Sequence, residues 1–222
     1  MRPVIRLVLA AAAAALAVGA CSTHPSAPAS PMTFFVTSVN PGKGADFGGL
    51  AGADAHCEAL AAKAGAPGRN WRAYLSTTAS AGTAAVNARE RIGKGPWQNV
   101  KGELVASNVD ELHGSNKLAK LTALTENGDV ISGRSDPVNS HDVLTGSTPD
   151  GRTAVADGKD TTCGNWTQSG EGSAIVGHHD RTGLDESEPA KSWNSSHASA
   201  GCGLEQLNKT GGAGLLYSFA AK

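Results

Sequence analysis

The chain has 222 residues, and its 19 Lys and Arg residues nearly balance its 20 Asp and Glu residues, which gives a net charge of −1 with neutral histidines. This balance offers no basic surface to a nucleic-acid backbone, so we predict no nucleic-acid partner. The 28 glycines make glycine far more frequent than its average share of about 7%. We therefore predict a single domain with a modest core and many ordered turns.

The amino terminus has the pattern of a secretory signal peptide. Residues 1–20 begin with Arg2 and Arg6, continue with an alanine-rich apolar stretch at 7–17, and end on small residues before Cys21. Small residues followed by a cysteine are typical of a lipoprotein cleavage site, so we predict that Cys21 is the lipidated first residue of the mature protein. An ordinary signal peptide followed by a chance cysteine is the alternative.

Residues 21–32 are rich in proline, serine and alanine, a composition that favours an extended tether. The apolar stretch before them is too short and too weakly hydrophobic for a membrane span, so we predict that acyl chains on Cys21 engage the membrane. Ser22 in place of an aspartate after that cysteine favours the outer membrane by a sorting rule of Gram-negative lipoproteins. The predicted location is therefore the cell envelope, with the protein lipid-anchored.

The segment after the tether begins with a strand, a helix and a second strand. Residues 33–38 are an aromatic and β-branched run, which predicts the first strand. Apolar residues recur at helical spacing over 50–64 and Gly65 follows, so we predict a helix there whose Cys57 faces the core. Alternation of apolar and polar residues over 71–76 predicts the second strand.

The rest of the chain predicts fewer regular elements. A second, shorter helix is expected at 84–91. Between Gly93 and Asp160 small apolar groups are separated by turn residues, which indicates a long loop region with short hairpins. The apolar run at 214–220 predicts a closing strand that pairs near the first strand.

Three cysteines follow Cys21 in the sequence, and they are Cys57, Cys163 and Cys202. In the oxidising compartment that a signal peptide implies, cysteines usually pair. An odd number leaves one thiol over, and the residues alone leave open which two cysteines form the bridge.

The order of these pieces resembles a known fold. The pieces are the strand at 71–76, the segments at 86–97 and 145–152, Cys163–Trp166, the pair Trp193 and Asn194, and Cys202 before the closing strand. This order is similar to the C-type-lectin-like fold, and most of all to endostatin-like domains, including those of some bacterial lipoproteins. The resemblance implies an α+β domain at 33–222 with a small mixed or antiparallel sheet, two helices and a long loop region.

The resemblance also implies how the cysteines pair. Two disulfides are usual in that fold, and Cys163 with Cys202 matches the inner one. Ser218 stands where the family pattern has the second cysteine of the outer pair, which leaves Cys57 as a buried free thiol. A reactive or redox role for this thiol is the alternative to a small apolar filler, which we favour.

Members of the fold that bind sugar through calcium carry a Trp-Asn-Asp element, and this chain has Trp193, Asn194 and Ser195 at the matching place. Ser195 removes a charged ligand from a site whose cation needs roughly six to eight oxygens. Calcium-dependent sugar binding is therefore not the favoured interpretation, although calcium stays an alternative cofactor.

The densest cluster of potential ligands lies between Cys163 and Cys202. It consists of His178, His179, Asp180, Asn194 and His197. The imidazoles and the carboxylate could hold zinc, or these groups could hydrogen-bond the glycine-rich loops and fix their shape, which we favour. Endostatins bind zinc near their amino terminus, but the matching stretch here has only His24, so that site is not carried over.

The sequence lacks the serine elbow, the His-Glu-x-x-His helix, the phosphate loop and the dinucleotide fingerprint of common enzymes. His141 with Asp142, and the group Asp150, Asp157 and Asp160, could make a carboxylate site, but their Gly, Pro and Thr neighbours indicate turns, where aspartate usually caps backbone amides. We therefore predict an adhesin-like or lectin-like binding protein for a protein or glycan ligand, with no catalysis and no cofactor assigned. A metal-dependent hydrolase with a His and Asp site and a structural envelope lipoprotein are the two alternatives.

Overall fold

The structure is a computed structural model, and it describes residues 30–80, 82–155 and 158–221. The predicted signal peptide, the lipidation site Cys21 and the tether up to residue 29 lie outside the described residues, as does Asp157. Within the described ranges, no helix has both the length and the apolar character that crossing a membrane requires.

Short helices and strands alternate along the chain. In chain order they are β1 (Phe34–Val36), α1 (Gly49–Lys63), β2 (Trp71–Ala73), α2 (Ala88–Arg91), β3 (Trp97–Gln98), β4 (Leu104–Ala106), α3 (Val109–His113), β5 (Asp142–Leu144), α4 (Cys163–Trp166), β6 (Ile175–His178), a 3-10 turn (Pro189–Lys191), β7 (His197–Ala198), α5 (Leu204–Lys209) and β8 (Gly212–Ala220). The predicted α+β class is confirmed.

The closing strand β8 organises the main sheet. The strands lie in the order β1-β8-β5-β6-β7, and β2 also pairs with β8. All these pairs are antiparallel except that of β5 with β8, which is parallel. Tyr217 and Phe219 are buried on one face of β8, while Leu216 and Ala220 are buried on the other. The predicted pairing of the closing strand with the first strand is therefore confirmed.

The helix α1 covers one face of the sheet. Its small apolar residues recur at helical spacing, and it buries Ala53, Cys57 and Ala61 against the strands. Gly65 follows the helix with a φ of 78°, a left-handed conformation that favours glycine and ends the helix. The predicted helix at 50–64 thus agrees with the structure to within one residue at each end.

Aromatic side chains fill the other face. Phe34, Tyr74, Trp97 and Tyr217 are fully buried there with Phe219. Trp97 and Phe219 contact each other edge to face, with ring centroids 5.2 Å apart. These large rings form a second core beneath the segments that the sequence predicted as loops.

The cysteines are arranged as the resemblance implied. Cys163 and Cys202 form a disulfide across a sequence separation of 39, which by the chain-entropy argument stabilises the fold by about 4 kcal/mol. Cys57 is a buried free thiol. The hydroxyl of Ser218 lies 2.6 Å from the Cys57 sulfur, so the two positions that the family pattern joins by the outer disulfide are neighbours.

The predicted second helix at 84–91 is too long. Val86 instead pairs with Thr77 through two backbone hydrogen bonds of 2.9 and 3.1 Å. Its carbonyl also accepts a hydrogen bond from the hydroxyl of Thr153. The helix α2 therefore begins only at Ala88.

The predicted count of two helices is also wrong, because the described residues contain five α-helices. The three that were missed span four to six residues each, which is too short for a helical period to show. The region between Gly93 and Asp160 holds the predicted hairpin, formed by β3 and β4, but also β5 of the main sheet.

Candidate metal centre

Strands β5, β6 and β7 bring four polar side chains together at one end of the sheet. Asp142 on β5 is the direct cross-strand partner of His178 on β6. His197 on β7 pairs with Val176, two residues before His178, so its side chain lies diagonally across from that histidine. His141 directly precedes β5, where the pairing with β8 shifts register between Asp142 and Val143. A register shift of this kind changes the direction in which the neighbouring side chains point.

The ring nitrogens of three histidines converge on one carboxylate oxygen. The Nε2 atoms of His141, His178 and His197 lie 3.1, 3.3 and 3.5 Å from Oδ1 of Asp142. The Nε2 atoms of His178 and His197 are 3.1 Å apart. The ligand atoms of His141, Asp142 and His178 all lie within 4.8 Å of one another.

The other ring nitrogen of each histidine faces a hydrogen-bond acceptor. Nδ1 of His141 lies 3.3 Å from Oδ1 of Asp180. Nδ1 of His178 lies 2.8 Å from the carbonyl of Ala190, and Nδ1 of His197 lies 3.1 Å from its neighbour's carbonyl. Because a carbonyl or carboxylate can only accept, each Nδ1 carries the proton in the neutral ring. With Nδ1 protonated, each Nε2 is left either to bind a metal ion or, on a doubly protonated ring, to donate to Asp142.

Asp142 is a buried carboxylate. Its residue is 2% exposed, and neither of its oxygens has a partner of hydrogen-bonding geometry among the described residues. Burial acts to raise the pKa of the Asp142 carboxyl, but the imidazoles of His178 and His197 hold that pKa below its ordinary value. A buried negative charge next to nitrogen lone pairs is stable only with a cation, either a proton on the rings or a metal ion.

The carboxylate of Asp180 contacts Nδ1 of His141, the ring nitrogen that does not face Asp142. It accepts hydrogen bonds from the backbone N–H of Arg134 at 2.7 Å and of Thr182 at 3.1 Å, besides its contact with His141. Burial opposes ionisation, but these hydrogen bonds hold the pKa of Asp180 well below its usual range. Gly133 permits the close approach, since a Cβ there would lie 2.5 Å from Oδ2 of Asp180. Asp180 therefore fixes the ring of His141.

Two of the five predicted site residues take other roles. His179 turns away from the centre, with Nε2 3.4 Å from the carbonyl of Ser132, and burial lowers its pKa. Asn194 donates to the hydroxyl of Tyr74 at 2.9 Å and to the carbonyl of Thr148 at 3.1 Å. These two residues therefore contact neighbouring loops and do not face the centre.

Sequence reasoning weighed His141 and Asp142 as part of a carboxylate site but favoured a turn, and it did not join them to the histidine cluster. Asp142 was interpreted as a turn residue, but it lies within β5. The available signal was a His-Asp pair directly before the apolar residues Val143 and Leu144. Asp160 does cap a turn, with backbone amides donating to it at 2.9 Å.

A cavity of about 490 Å³ adjoins the centre. His141, His178 and His197 line it together with Arg134. Asp142 does not belong to the lining. The three imidazoles therefore lie between the cavity and the carboxylate of Asp142. The side chain of His197 is 38% exposed and stands at the rim.

A comparison of the sequence with protein-family models found no match, and a comparison with curated proteins found none either. The arrangement of side chains at the centre is therefore the basis for assigning a function.

Proposed function

We propose that this protein binds one divalent transition-metal ion, with zinc as the best fit, through His141, Asp142, His178 and His197. The convergence of three Nε2 atoms on one oxygen of Asp142 carries this proposal. Metal-binding histidines almost always donate their second ring nitrogen to a carbonyl or a carboxylate. All three histidines here do so.

The spacing of the donor atoms suits zinc. Zinc bonds nitrogen and oxygen at about 2.0–2.2 Å, and in a tetrahedral site neighbouring ligand atoms then lie roughly 3.3–3.5 Å apart. Four of the separations among the proposed ligand atoms are 3.1, 3.1, 3.3 and 3.5 Å. The ligand atoms of His141, Asp142 and His178 lie within 4.8 Å of one another, and His197 is not part of that group. Three nitrogen donors and one oxygen favour a transition metal over calcium, which requires oxygen ligands.

A metal-dependent hydrolase is the second candidate function. Catalytic zinc sites keep a position open to water or substrate, so this candidate requires a fifth coordination position beside the four protein ligands. The cavity beside the three histidines supports this candidate, because it gives a small molecule access to the centre. The adhesin-like or lectin-like binding of a protein or glycan, and the structural role, stay predictions.

We place the centre in a lipid-anchored envelope protein with a C-type-lectin-like, endostatin-like domain. Two observations support the fold assignment. The disulfide joins Cys163 and Cys202 as in the inner pair, and Cys57 lies next to Ser218 where the outer pair would be. The sequence before residue 33 supports the anchor, with its apolar stretch, Cys21 and tether.

The proposal is tested by calorimetric titration of zinc into the purified full chain after chelator treatment. We expect one zinc ion per chain, and we expect His178→Ala and Asp142→Asn each to weaken binding by at least about tenfold. His56→Ala is the matched control, because His56 lies on α1 and contacts the carbonyl of Val39. Absence of zinc binding, or equal affinity in all four proteins, would refute the proposal.

A further inference from the structure

We infer that the metal centre takes a small carboxylate-bearing molecule as an additional ligand from the cavity, and that Arg134 binds its carboxylate. This inference rests on the proposed metal centre. The volume of about 490 Å³ falls within the roughly 300–1,000 Å³ of small-molecule sites, so the cavity is large enough for a small molecule.

The position of Arg134 provides the first argument. Its backbone N–H donates to Asp180, and its side chain lines the cavity with His141, His178 and His197. Among the described residues, its guanidinium has neither a salt bridge nor a hydrogen bond, whereas most other arginines there have one. An arginine without a protein partner beside a metal centre can form two parallel hydrogen bonds with a carboxylate.

The charge of the cavity provides the second argument. Arg134 and Asp185 are the only charged residues of the described lining apart from the histidines. The carboxylate of Asp185 accepts a hydrogen bond from the backbone of Ser187 at 2.9 Å. A divalent ion held by Asp142 retains one positive charge, which together with Arg134 outweighs Asp185 in the lining and attracts an anion. The carboxylate of Asp180 lies outside the lining, against Nδ1 of His141.

The apolar part of the lining indicates which anion. Leu184, Pro189, Ala190 and Ala198 form part of the wall. Leu184 is unusually exposed for a leucine, at 87%. A carboxylate on an apolar body can contact both this wall and the polar end formed by Arg134 and the imidazoles, whereas inorganic phosphate can use only the polar end.

The test uses the full chain loaded with cobalt(II), whose visible absorption reports ligands that join the metal. We expect benzoate to change the spectrum at lower concentration than acetate or inorganic phosphate. Arg134→Gln should weaken benzoate binding about tenfold or more while cobalt stays bound. Arg152→Gln is the matched control, because Arg152 is paired with Asp150 on another loop, and it should leave benzoate binding unchanged.

A second variant tests the contribution of the apolar wall. Leu184→Ser should weaken the response to benzoate but not the response to acetate, because only benzoate reaches the apolar wall. A cobalt spectrum that no anion changes, an equal response in Arg134→Gln, or a preference for phosphate would each overturn the inference while the metal centre stands. Failure of the wild-type chain to bind cobalt would overturn the metal centre itself, and this inference with it.

Discussion

The imidazole of His141 is held between two carboxylates. Its Nε2 lies 3.1 Å from Asp142 and its Nδ1 lies 3.3 Å from Asp180. The ring also stacks on that of His178, with centroids 4.0 Å apart. These contacts restrain the ring so that Nε2 faces Asp142 and Nδ1 faces Asp180.

Asp180 contacts Nδ1 of His141 but is not one of the four proposed ligands, and its replacement is predicted to weaken zinc binding. Asp180→Asn removes the negative charge that orients the ring, and we expect zinc affinity to fall about 10–100-fold. Competition with a fluorescent chelator measures this change. Asp110→Asn is the control, because Asp110 is 94% exposed in its salt bridge. Unchanged affinity in Asp180→Asn would show that the ring needs no carboxylate behind it.

The buried thiol of Cys57 permits a second prediction at this scale. Burial raises its pKa from 9.0 to about 12, so the folded protein keeps the thiol protonated and unreactive at pH 8. Alkylation by iodoacetamide, followed at the Cys57 peptide by mass spectrometry, should be slow until denaturant is added. Rapid alkylation of the folded chain would instead indicate an accessible, reactive thiol.

The same thiol has a consequence for stability in alkaline solution. Between pH 9 and about 12 the unfolded thiol ionises while the folded one does not. Since the unfolded state then binds fewer protons, the free energy of unfolding falls as pH rises through that interval. Below pH 9 both states hold the proton, and the thiol adds no pH dependence.

At the scale of elements, one carboxylate joins the helix α1 to its neighbours. Asp54 of α1 accepts from Arg72 and Arg91, each at 2.7 Å, and from the backbone N–H of Ala73 at 2.9 Å. The side chains of Asp54 and Arg91 are only 10% and 12% exposed. This group therefore links α1 with β2 and α2 at the edge of the core.

Removal of this carboxylate should destabilise the domain strongly. Asp54→Ala leaves the largely buried Arg91 without its partner, and we expect a loss of about 3 kcal/mol in the free energy of unfolding. Urea denaturation followed by tryptophan fluorescence measures the loss. Asp46→Ala serves as the control, since the side chain of Asp46 accepts one exposed hydrogen bond, from Gly48. A loss below about 1 kcal/mol would contradict a linking role for Asp54.

The length of an element decided whether the sequence could predict it. The helix α1 has 15 residues and β8 has nine, which is enough for a helical period or an apolar run to show. The helices α3 and α4 have five and four residues. β5 has only three residues, one of them the charged Asp142, so nothing in its composition distinguished it from the turns around it.

The centre was only partly predictable for a topological reason. His178 and His197 were in the predicted cluster because they are close in sequence, but His141 and Asp142 lie more than 30 residues before them. The pairing of β5 with both β8 and β6 brings these residues to the same end of the sheet. Spacing along the chain carries no information about that pairing.

At the scale of the whole molecule, the described residues combine two cores with a polar centre at the end of the main sheet. The small residues of α1 pack on one face, and aromatic rings pack on the other. The sequence predicts that this domain is held at the envelope by Cys21 and a tether that ends at residue 32. A domain held this way would expose the proposed metal centre to extracytoplasmic solutes.

The anchor is tested by replacing the predicted lipidation site. Cys21→Ser should abolish acylation, so we expect the protein to move from the detergent phase to the aqueous phase in a detergent phase separation. Intact mass should then lack the added acyl chains. Equal partition of the wild-type chain and Cys21→Ser would contradict the anchor, while a neighbouring change, Ser22→Ala, should leave the partition in the detergent phase.

The metal centre is tested most directly by X-ray absorption spectroscopy at the zinc edge of the zinc-loaded chain. We expect a first shell of nitrogen and oxygen near about 2.0–2.1 Å, with the outer scattering of three imidazoles from His141, His178 and His197. In Asp180→Asn the same shell should show greater disorder. A shell that contains sulfur, or one with at most a single imidazole, would contradict the centre described for β5, β6 and β7.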